Sequence, residues 1–247
     1  MSLNVSRDPL RENYREAFVT NPARAEYLAD GKVALLCIDM QYLDAAEGWG
    51  LFADPDTSGV PEEGRKYYFD RLRSVVLPGV RRLQDAFRGN ELEVIHCRIC
   101  ALTQDGRDRS AGHRRLHLLA AKGSKEAEFL EEIAPVGDEI IIDKTASGVF
   151  SSTNLHYVLG NLGIRSLYIC GVYTNECVET TARDACDLGY FVAVVDDACA
   201  TVTPALHGAS LACLRDRYAR VCTVDEAMHD LNQLLGPDRG SSEHLPE

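Results

Sequence analysis

The sequence predicts a single α/β domain built on a doubly wound sheet of about six mainly parallel strands, with helices on both faces. Three observations predict it: six short runs rich in Val and Ile, amphipathic segments between them, and no repeat or linker along the chain. Several runs are apolar at consecutive positions, which indicates burial on both faces, as in a parallel sheet. The strands are expected at 33–39, 93–99, 139–143, 166–172, 190–198 and 220–224.

The segments between these runs have the periodicity of helices. The apolar stripe from Val76 to Phe87 predicts a helix over 74–88. Thr203 followed by Pro204 predicts the N-cap and first residue of another helix. Further helices are expected at 152–162, 176–188 and about 225–235.

The chain ends and one insert lie outside this alternation. Residues 1–30 are expected to form an N-terminal arm, residues 31–236 the single domain, and residues 237–247 a disordered tail. The insert at 43–72 is too aromatic for a disordered linker. It is expected to be either a lid or subunit contact, or a packed surface loop, and both interpretations stay open. Its aromatic residues are Trp49, Phe52, Tyr67, Tyr68 and Phe69.

Composition and charge exclude several classes of protein. The formal net charge is −12, from 38 acidic and 26 basic residues, and phosphate contacts need clustered Lys and Arg, so no nucleic-acid partner is expected. No apolar run approaches the roughly 18 residues of a membrane span, so no membrane association is expected. The N-terminus has no apolar core, which argues against a secretory signal and favours a cytoplasmic protein. The nine cysteines are therefore expected to be reduced, most of them in the core.

Familiar chemical motifs are absent from the sequence, including phosphate-binding glycine loops, the GxSxG elbow and HExxH. Cys97 and Cys100 form a CxxC, but at the end of a strand rather than at the start of a helix, which favours a structural role. His113 and His117 are four residues apart without a nearby acid, which argues against zinc. No metal and no cofactor are expected.

Three chemically active side chains follow predicted strands. Asp39 ends the first strand, Lys144 follows the third, and Cys177 opens the helix after the fourth. Each alone has an ordinary structural explanation, but the carboxyl ends of parallel strands meet at one ligand crevice. A helix dipole and a lysine are expected to acidify the thiol, and a carboxylate can move its proton. Together they predict a nucleophilic site.

Three stretches of the sequence resemble the isochorismatase-like cysteine hydrolases. They are ALLCIDMQ around Asp39, IIDKTASGVFSSTNL around Lys144 and GVYTNECVETTARDACDLGY around Cys177, and the similarity covers about residues 30–225. The resemblance implies a Rossmann-type three-layer fold. It also implies a catalytic triad in which Asp39 takes the Cys177 proton, Lys144 holds the pair charged, and the thiolate forms a thioester with the substrate.

The resemblance further implies the surroundings of the triad. A cis peptide bond is expected at Val172–Tyr173, and the backbone N–H groups of Tyr173 and Cys177 are expected to form the oxyanion hole. Substrate contacts are expected from Gln41, Arg98, Phe150, Thr174 and Asn175. For Arg98 two interpretations stay open, a bidentate contact with a substrate carboxylate or a structural ion pair.

The resemblance implies cleavage of a C–N bond in a small amide, carbamoyl or ureido compound, with release of ammonia or an amine. Nicotinamidases of this family have a DxH metal motif after the second strand, and this chain lacks it. Isochorismatase itself lacks the cysteine, so Cys177 favours C–N hydrolysis over vinyl ether hydrolysis. Two alternatives stay open, an isochorismatase-type ether hydrolase and a non-catalytic α/β binding protein. A homo-oligomer, dimer or tetramer, is expected, with the insert at 43–72 supplying apolar surface.

Overall fold

The computed structural model describes residues 26, 28–56 and 58–234. Of the predicted N-terminal arm it therefore describes only residues 26 and 28–30, in which Leu28 is fully buried in the core. The predicted tail at 237–247 lies outside the described residues.

The described residues contain a six-stranded sheet in the order β3-β2-β1-β4-β5-β6, in which every neighbouring pair is parallel. The direction of winding reverses between β1 and β4, which places a topological switch point at the centre of the sheet. The predicted fold class is confirmed. The strands are β1 Val33–Ile38, β2 Glu93–Ile99, β3 Ile140–Lys144, β4 Ser166–Val172, β5 Phe191–Ala200 and β6 Arg220–Cys222.

Helices connect the strands, and within the described residues none is long and apolar enough to cross a membrane. Short 3₁₀ turns lie at Gly50–Phe52, Lys125–Ala127 and Glu131–Ile133, and π-helical turns at Leu72–Val76 and Thr174–Val178. The α-helices are α1 Tyr42–Ala45, α2 Glu62–Arg71, α3 Leu77–Gly89, α4 Ala111–Arg115, α5 Val149–Ser152, α6 Leu155–Asn161, α7 Glu179–Asp187, α8 Pro204–Leu214 and α9 Val224–Leu234.

Two apolar layers cover the two faces of the sheet. In β1, Leu35 packs into the layer that contains Phe87 of α3, while Leu36 packs into the layer that contains Ala182 of α7. All six residues of β1 are buried, because successive side chains point to opposite faces and both faces are covered. The continuous apolar runs of the sequence follow from this three-layer arrangement.

The helical segment before β2 contains a proline in its interior. Pro78 has no backbone N–H and cannot donate to the carbonyl of Ser74, so the usual helical ladder is interrupted. The chain adopts the π-helical turn Leu72–Val76 immediately before it, and the N–H of Leu77 reaches back to the carbonyl of Leu72. The predicted helix at 74–88 therefore begins with α3 at Leu77, while α2 and the π turn precede it.

The insert at 43–72 packs against the core. Phe52, Tyr68 and Phe69 are buried and cluster with Tyr173, with the Phe52 and Tyr68 rings stacked at 5.2 Å. These rings face the interior, so they do not supply the apolar surface that the oligomer prediction used. The homo-oligomer stays a prediction. Trp49 packs edge-on against Tyr42, with ring centroids 5.7 Å apart.

Gly171 allows the two central strands to approach each other at the end where Asp39 lies. Its φ is +117°, and a Cβ at this position would lie 2.0 Å from the carbonyl oxygen of Ile38. Ile38 is its partner in the β1–β4 register and the residue before Asp39. A glycine is therefore required here both by the backbone conformation and by the contact.

We expect Gly171→Ala to destabilise the fold by about 1–3 kcal/mol through backbone strain alone. The Cβ would also push the end of β1 away, which would displace Asp39. The measurement is chemical denaturation of the purified variant. Gly160→Ala is the control, because a Cβ there meets nothing within 4 Å. Equal stability of Gly171→Ala and the wild type would contradict this account of the β1–β4 contact.

Candidate active site

Asp39, Lys144 and Cys177 come together at the carboxyl edge of the sheet. Asp39 follows β1, Lys144 is the last residue of β3, and Cys177 lies in the π turn after β4. Lys144 Nζ lies 2.9 Å from Asp39 Oδ2 and 3.4 Å from Cys177 Sγ. The lysine therefore contacts both of the other groups.

The backbone at Asp39 determines where its carboxylate points. Alternation along β1 would place Asp39 on the face of Cys37, whereas Lys144 continues the face of Ile142 on β3. Asp39 has a φ of 53°, and aspartate is among the residues that tolerate this left-handed conformation. The change of conformation takes the carboxylate out of the alternation, and it reaches Lys144.

Lys144 is a fully buried cation. Its ammonium donates to the carbonyl oxygen of Ala146 at 3.0 Å in addition to its contacts with Asp39 and Cys177. Burial by itself lowers the pKa of Lys144, but the charge of Asp39 and the neighbouring Cys177 outweigh it and raise that pKa above the ordinary value. The ammonium is therefore the resting form.

The pKa of the Cys177 thiol differs from the one that the sequence predicts. A thiol at the start of an α-helix was expected to be acidic, but α7 begins only at Glu179, and Cys177 lies in the π turn before it. Burial, and then the charge of Asp39, raise the pKa of Cys177 well above the ordinary value, although Lys144 opposes them. The expectation of an acidified thiol is therefore wrong for the resting site, in which the raised pKa favours a neutral thiol beside a carboxyl group.

That carboxyl group belongs to Asp39. Burial raises the pKa of its carboxyl above the ordinary value of 3.8, while the Lys144 charge and the Cys177 thiol act in the opposite direction. The side chain is 1% exposed, so its charge is sustained by the ion pair rather than by water. The arrangement can therefore transfer the thiol proton to a carboxylate and leave a thiolate next to an ammonium.

A partly buried polar network supports the turn that carries Cys177. The Thr174 hydroxyl hydrogen-bonds to His207 Nδ1 at 2.9 Å, and His207 Nε2 bonds to Asp196 Oδ1 at 2.8 Å. Arg71 donates to the carbonyl oxygen of Asp196 at 2.9 Å. Ser210 of α8 also donates to the carbonyl oxygen of Thr174, at 3.0 Å. These contacts connect the turn to α2, β5 and α8.

The predicted contact residues Thr174 and Asn175 lie in the same turn as Cys177. Asn175 Oδ1 accepts a hydrogen bond from Thr201 at 2.5 Å. The Val172–Tyr173 peptide bond just before the turn is cis. Gln41 has a different environment: its amide donates to the carbonyl oxygens of Ile99 and Glu126, and its Oε1 accepts from the Ile99 N–H at 2.6 Å. Its polar atoms are thus committed to the backbone, contrary to the expected substrate contact.

Arg98 and Phe150 are not brought to the triad. Arg98 Nε donates to Asp143 Oδ1 at 2.7 Å, and its Nη1 donates to a backbone carbonyl. Asp143 precedes Lys144 in β3 and points to the opposite face of the sheet, so Arg98 lies on the face away from the triad. Of the two interpretations of Arg98, the structure supports the structural ion pair. The Phe150 ring stacks on Tyr190, with centroids 5.8 Å apart.

The other motifs singled out in the sequence are structural. Cys97 and Cys100 are buried free thiols, and burial raises the pKa of each. His113 is buried in α4, and burial lowers its pKa to about 4, with the Lys144 charge adding to the effect. Within the described residues, no group of three His, Cys, Asp or Glu side chains is placed to hold a metal ion.

Two acidic residues next to the triad were missed by the sequence reasoning. Asp44 in α1 is buried, and the charges of Asp39 and Lys144 act on its carboxyl. Glu176 precedes Cys177, and the same two charges act on it. The signal that could have found them is their spacing, since Asp44 is five residues after Asp39 and Glu176 adjoins the nucleophile candidate.

Comparison with known proteins assigns the chain to a family. The Isochorismatase domain matches residues 33–226. The chain belongs to the isochorismatase family. It is a hydrolase of that family, and the resemblance seen in the sequence is confirmed.

Members of this family with similar sequences and structures are known. The ureidoacrylate amidohydrolase RutB of Rhizobium rhizogenes is 30% identical over 208 residues, which cover 74% of this chain and 77% of that protein. An isochorismatase family protein from Desulfovibrio vulgaris has a TM-score of 0.68 at 25% identity and covers 81% of this chain and 98% of its own. N-carbamoylsarcosine amidase from Thermoplasma acidophilum has a TM-score of 0.58 at 26% identity, over 78% of this chain and 96% of its own.

We expect His207→Ala to weaken both the fold and the site. The buried Thr174 hydroxyl would lose its hydrogen bond to the imidazole, which costs about 1–3 kcal/mol for a buried group left unsatisfied, and the half-buried Asp196 carboxylate would lose a second one. The turn that carries Cys177 would lose its anchor through Thr174, so turnover should fall as well. The measurements are denaturant unfolding and the hydrolytic rate. The exposed His229 of α9 supplies the control, His229→Ala, which should change neither; a His207→Ala variant with wild-type stability and turnover would show that the turn does not need this network.

Proposed function

We propose that the chain is a cysteine-dependent amidohydrolase that cleaves a C–N bond of a small amide, carbamoyl or ureido compound. The observation that carries the proposal is the contact of one buried ammonium with both a carboxylate and a thiol, at 2.9 Å from Lys144 Nζ to Asp39 Oδ2 and 3.4 Å to Cys177 Sγ. A thiol, a base and a cation in contact are the parts that covalent acyl transfer needs.

In the proposed first half-reaction, Asp39 accepts the proton of Cys177 as the sulfur attacks the substrate carbonyl. The S–C bond forms, and the carbonyl oxygen becomes an oxyanion that the backbone N–H groups of Tyr173 and Cys177 stabilise. Asp39 then passes the proton to the substrate nitrogen as the C–N bond breaks. Ammonia or an amine leaves, and a thioester remains on Cys177.

In the second half-reaction, water attacks the thioester carbonyl and Asp39 accepts its proton. The C–S bond breaks, Cys177 regains a proton, and the acid product leaves. Throughout, the Lys144 ammonium offsets the negative charge that passes between Asp39 and Cys177. Because the site is buried, this offset acts in a medium of low dielectric constant, where it has a large effect.

The names of two of these relatives agree with this class of reaction. RutB is named for an amidohydrolase activity on ureidoacrylate, and the Thermoplasma protein is named as an amidase of N-carbamoylsarcosine. Both names describe small molecules with a carbamoyl or ureido group. The substrate of this chain is proposed to be of that general kind.

We expect Cys177→Ala to abolish hydrolysis and to leave the fold intact, because it removes only a sulfur atom from a buried position. Asp39→Asn and Lys144→Ala should each lose several orders of magnitude in kcat, since members of a triad act as a unit. The measurement is ammonia release from a panel of small amides and ureides, with pyruvate release from isochorismate as a parallel assay.

Stability controls separate the chemical effects from the structural ones. Removing one partner of a buried ion pair costs about 3–5 kcal/mol, so Lys144→Ala should also unfold more easily, whereas Cys177→Ala should not. Substantial ammonia release by Cys177→Ala would exclude a thioester mechanism. Pyruvate release without ammonia release would instead favour an ether hydrolase.

We also expect activity to decline on the acid side. Asp39 acts as a base only when ionised, and its pKa is raised above the ordinary value of 3.8, so kcat/KM should rise with pH through a midpoint above that value. The raised pKa of Lys144 keeps it protonated over the same range. The measurement is a pH–rate profile, with circular dichroism at each pH to show that the chain stays folded. A rate that holds constant down to the ordinary aspartate value would refute the role of Asp39.

A further inference from the structure

Tyr68 is a fully buried tyrosine that the proposed chemistry does not use. It lies in α2, within the aromatic insert at 43–72. Its hydroxyl donates to the backbone carbonyl oxygen of Asp44 at 2.7 Å. Burial raises the pKa of this hydroxyl well above its ordinary value, so the group stays a neutral donor. A buried tyrosine hydroxyl needs a partner, and the partner that it has here leads toward the reactive site.

Tyr68 and Tyr173 share this carbonyl oxygen. The hydroxyl of Tyr173 donates to the same atom at 3.1 Å. The two rings lie against each other, with centroids 5.3 Å apart and planes inclined by 38°. A carbonyl oxygen has two lone pairs, so it can accept from both hydroxyls and hold the two rings together. Because Asp44 lies in α1, the contact joins α1, α2 and the residue that follows β4.

The backbone of Tyr173 holds the turn that carries Cys177. Its carbonyl oxygen accepts from the N–H of Glu176 at 3.0 Å and from the N–H of Val178 at 3.3 Å. Glu176 and Val178 are the residues on either side of Cys177. The N–H of Tyr173 is also one of the two groups of the proposed oxyanion hole. A shift of the Tyr173 side chain would therefore move both the nucleophile and an oxyanion donor.

Small displacements of such groups have large effects on acyl transfer. A misplacement of about 1 Å can cost about a hundredfold in rate. The loss of one oxyanion donor costs about a hundredfold to a thousandfold. Tyr173 is buried, so its position depends on the side chains packed against it, and Tyr68 contacts its ring and shares its acceptor.

We propose that Tyr68 is a positioning residue, which holds Tyr173 so that the Tyr173 N–H meets the oxyanion and the turn presents Cys177. It acts through the ring contact and through the shared Asp44 carbonyl oxygen. The insert at 43–72 is then a fixed support of the reactive site. This inference rests on the proposed function, because it takes Cys177 as the nucleophile and the Tyr173 N–H as an oxyanion donor.

Two reagents separate positioning from stability. p-Nitrophenyl acetate acylates a thiol through a tetrahedral oxyanion: the S–C bond forms, Asp39 accepts the thiol proton, and p-nitrophenolate leaves. Iodoacetamide alkylates the same sulfur by direct displacement of iodide, without an oxyanion. The measurements are p-nitrophenolate release above the background of Cys177→Ala, and alkylation of Cys177 followed by peptide mass spectrometry. The ratio of the acylation rate to the alkylation rate then reports the oxyanion hole separately from the state of the thiol.

We expect Tyr68→Leu, which removes both the ring and the hydroxyl, to lower this ratio about tenfold or more. Tyr68→Phe keeps the ring contact and should recover most of the loss, remaining about threefold below the wild type because one hydrogen bond is missing. Phe69→Leu is the matched control, since Phe69 is a buried aromatic residue of the same cluster whose ring packs on Phe52 and Tyr68, at 4.8 and 5.1 Å. It should weaken the fold in denaturant unfolding but keep the ratio within about twofold of the wild type.

The rates are compared under conditions in which circular dichroism shows each variant to be folded. A folded Tyr68→Leu variant with the wild-type ratio overturns the inference, as does a Phe69→Leu variant whose ratio falls as far as that of Tyr68→Leu. If Tyr68→Leu does not fold, Tyr68→Phe decides, and a wild-type ratio in that variant overturns the inference. Failure of the proposed function would appear in the wild type, as p-nitrophenolate release no faster than that of Cys177→Ala, and would overturn both.

Discussion

The site depends on one buried ion pair, between Lys144 and Asp39. Burying either charge alone costs several kcal/mol, so neither group is tolerable there without the other. The pair joins the ends of β1 and β3 across β2, which lies between them in the sheet. The ends of β1 and β3 must therefore keep the spacing that lets Lys144 Nζ contact Asp39 Oδ2. The left-handed backbone at Asp39 and the close β1–β4 approach at Gly171 both help to place the Asp39 carboxylate for this contact.

The same burial determines the protonation states of the neighbouring groups. It raises the pKa of the Cys177 thiol, which favours the neutral form at rest, and in the proposed mechanism the thiol then ionises by proton transfer to Asp39. It also raises the pKa of Asp44, whose Oδ2 has no partner in the described part of the chain. The same low-dielectric surroundings thus favour the neutral forms of both the thiol and this carboxyl group.

Much of the fold could be predicted from the sequence, because short continuous apolar runs that alternate with amphipathic segments are typical of a covered parallel sheet. The strand ends then indicate the edge where Asp39 and Lys144 meet. Side-chain partners could not be predicted. Arg98 pairs with Asp143 because of the β2–β3 register, which the sequence does not specify. The acidity of Cys177 was misjudged because the dipole argument leaves out burial and the charge of Asp39, which both raise the pKa of the thiol and which the sequence does not show. The position of Asp44 could not be predicted either, because it lies in the insert at 43–72, whose packing against the core the sequence does not specify.

The packing of Trp49 makes its fluorescence a probe of the region around α1. It is the single tryptophan of the chain, and it lies edge-on to Tyr42, the first residue of the short helix that contains Asp44. The ammonium of Lys125 sits 3.9 Å above the Tyr42 ring, which connects the same corner to the 3₁₀ turn Lys125–Ala127 between β2 and β3. Intrinsic fluorescence excited at the indole band therefore comes from this corner of the fold alone, next to the short helix α1 that follows Asp39 and the β1 strand.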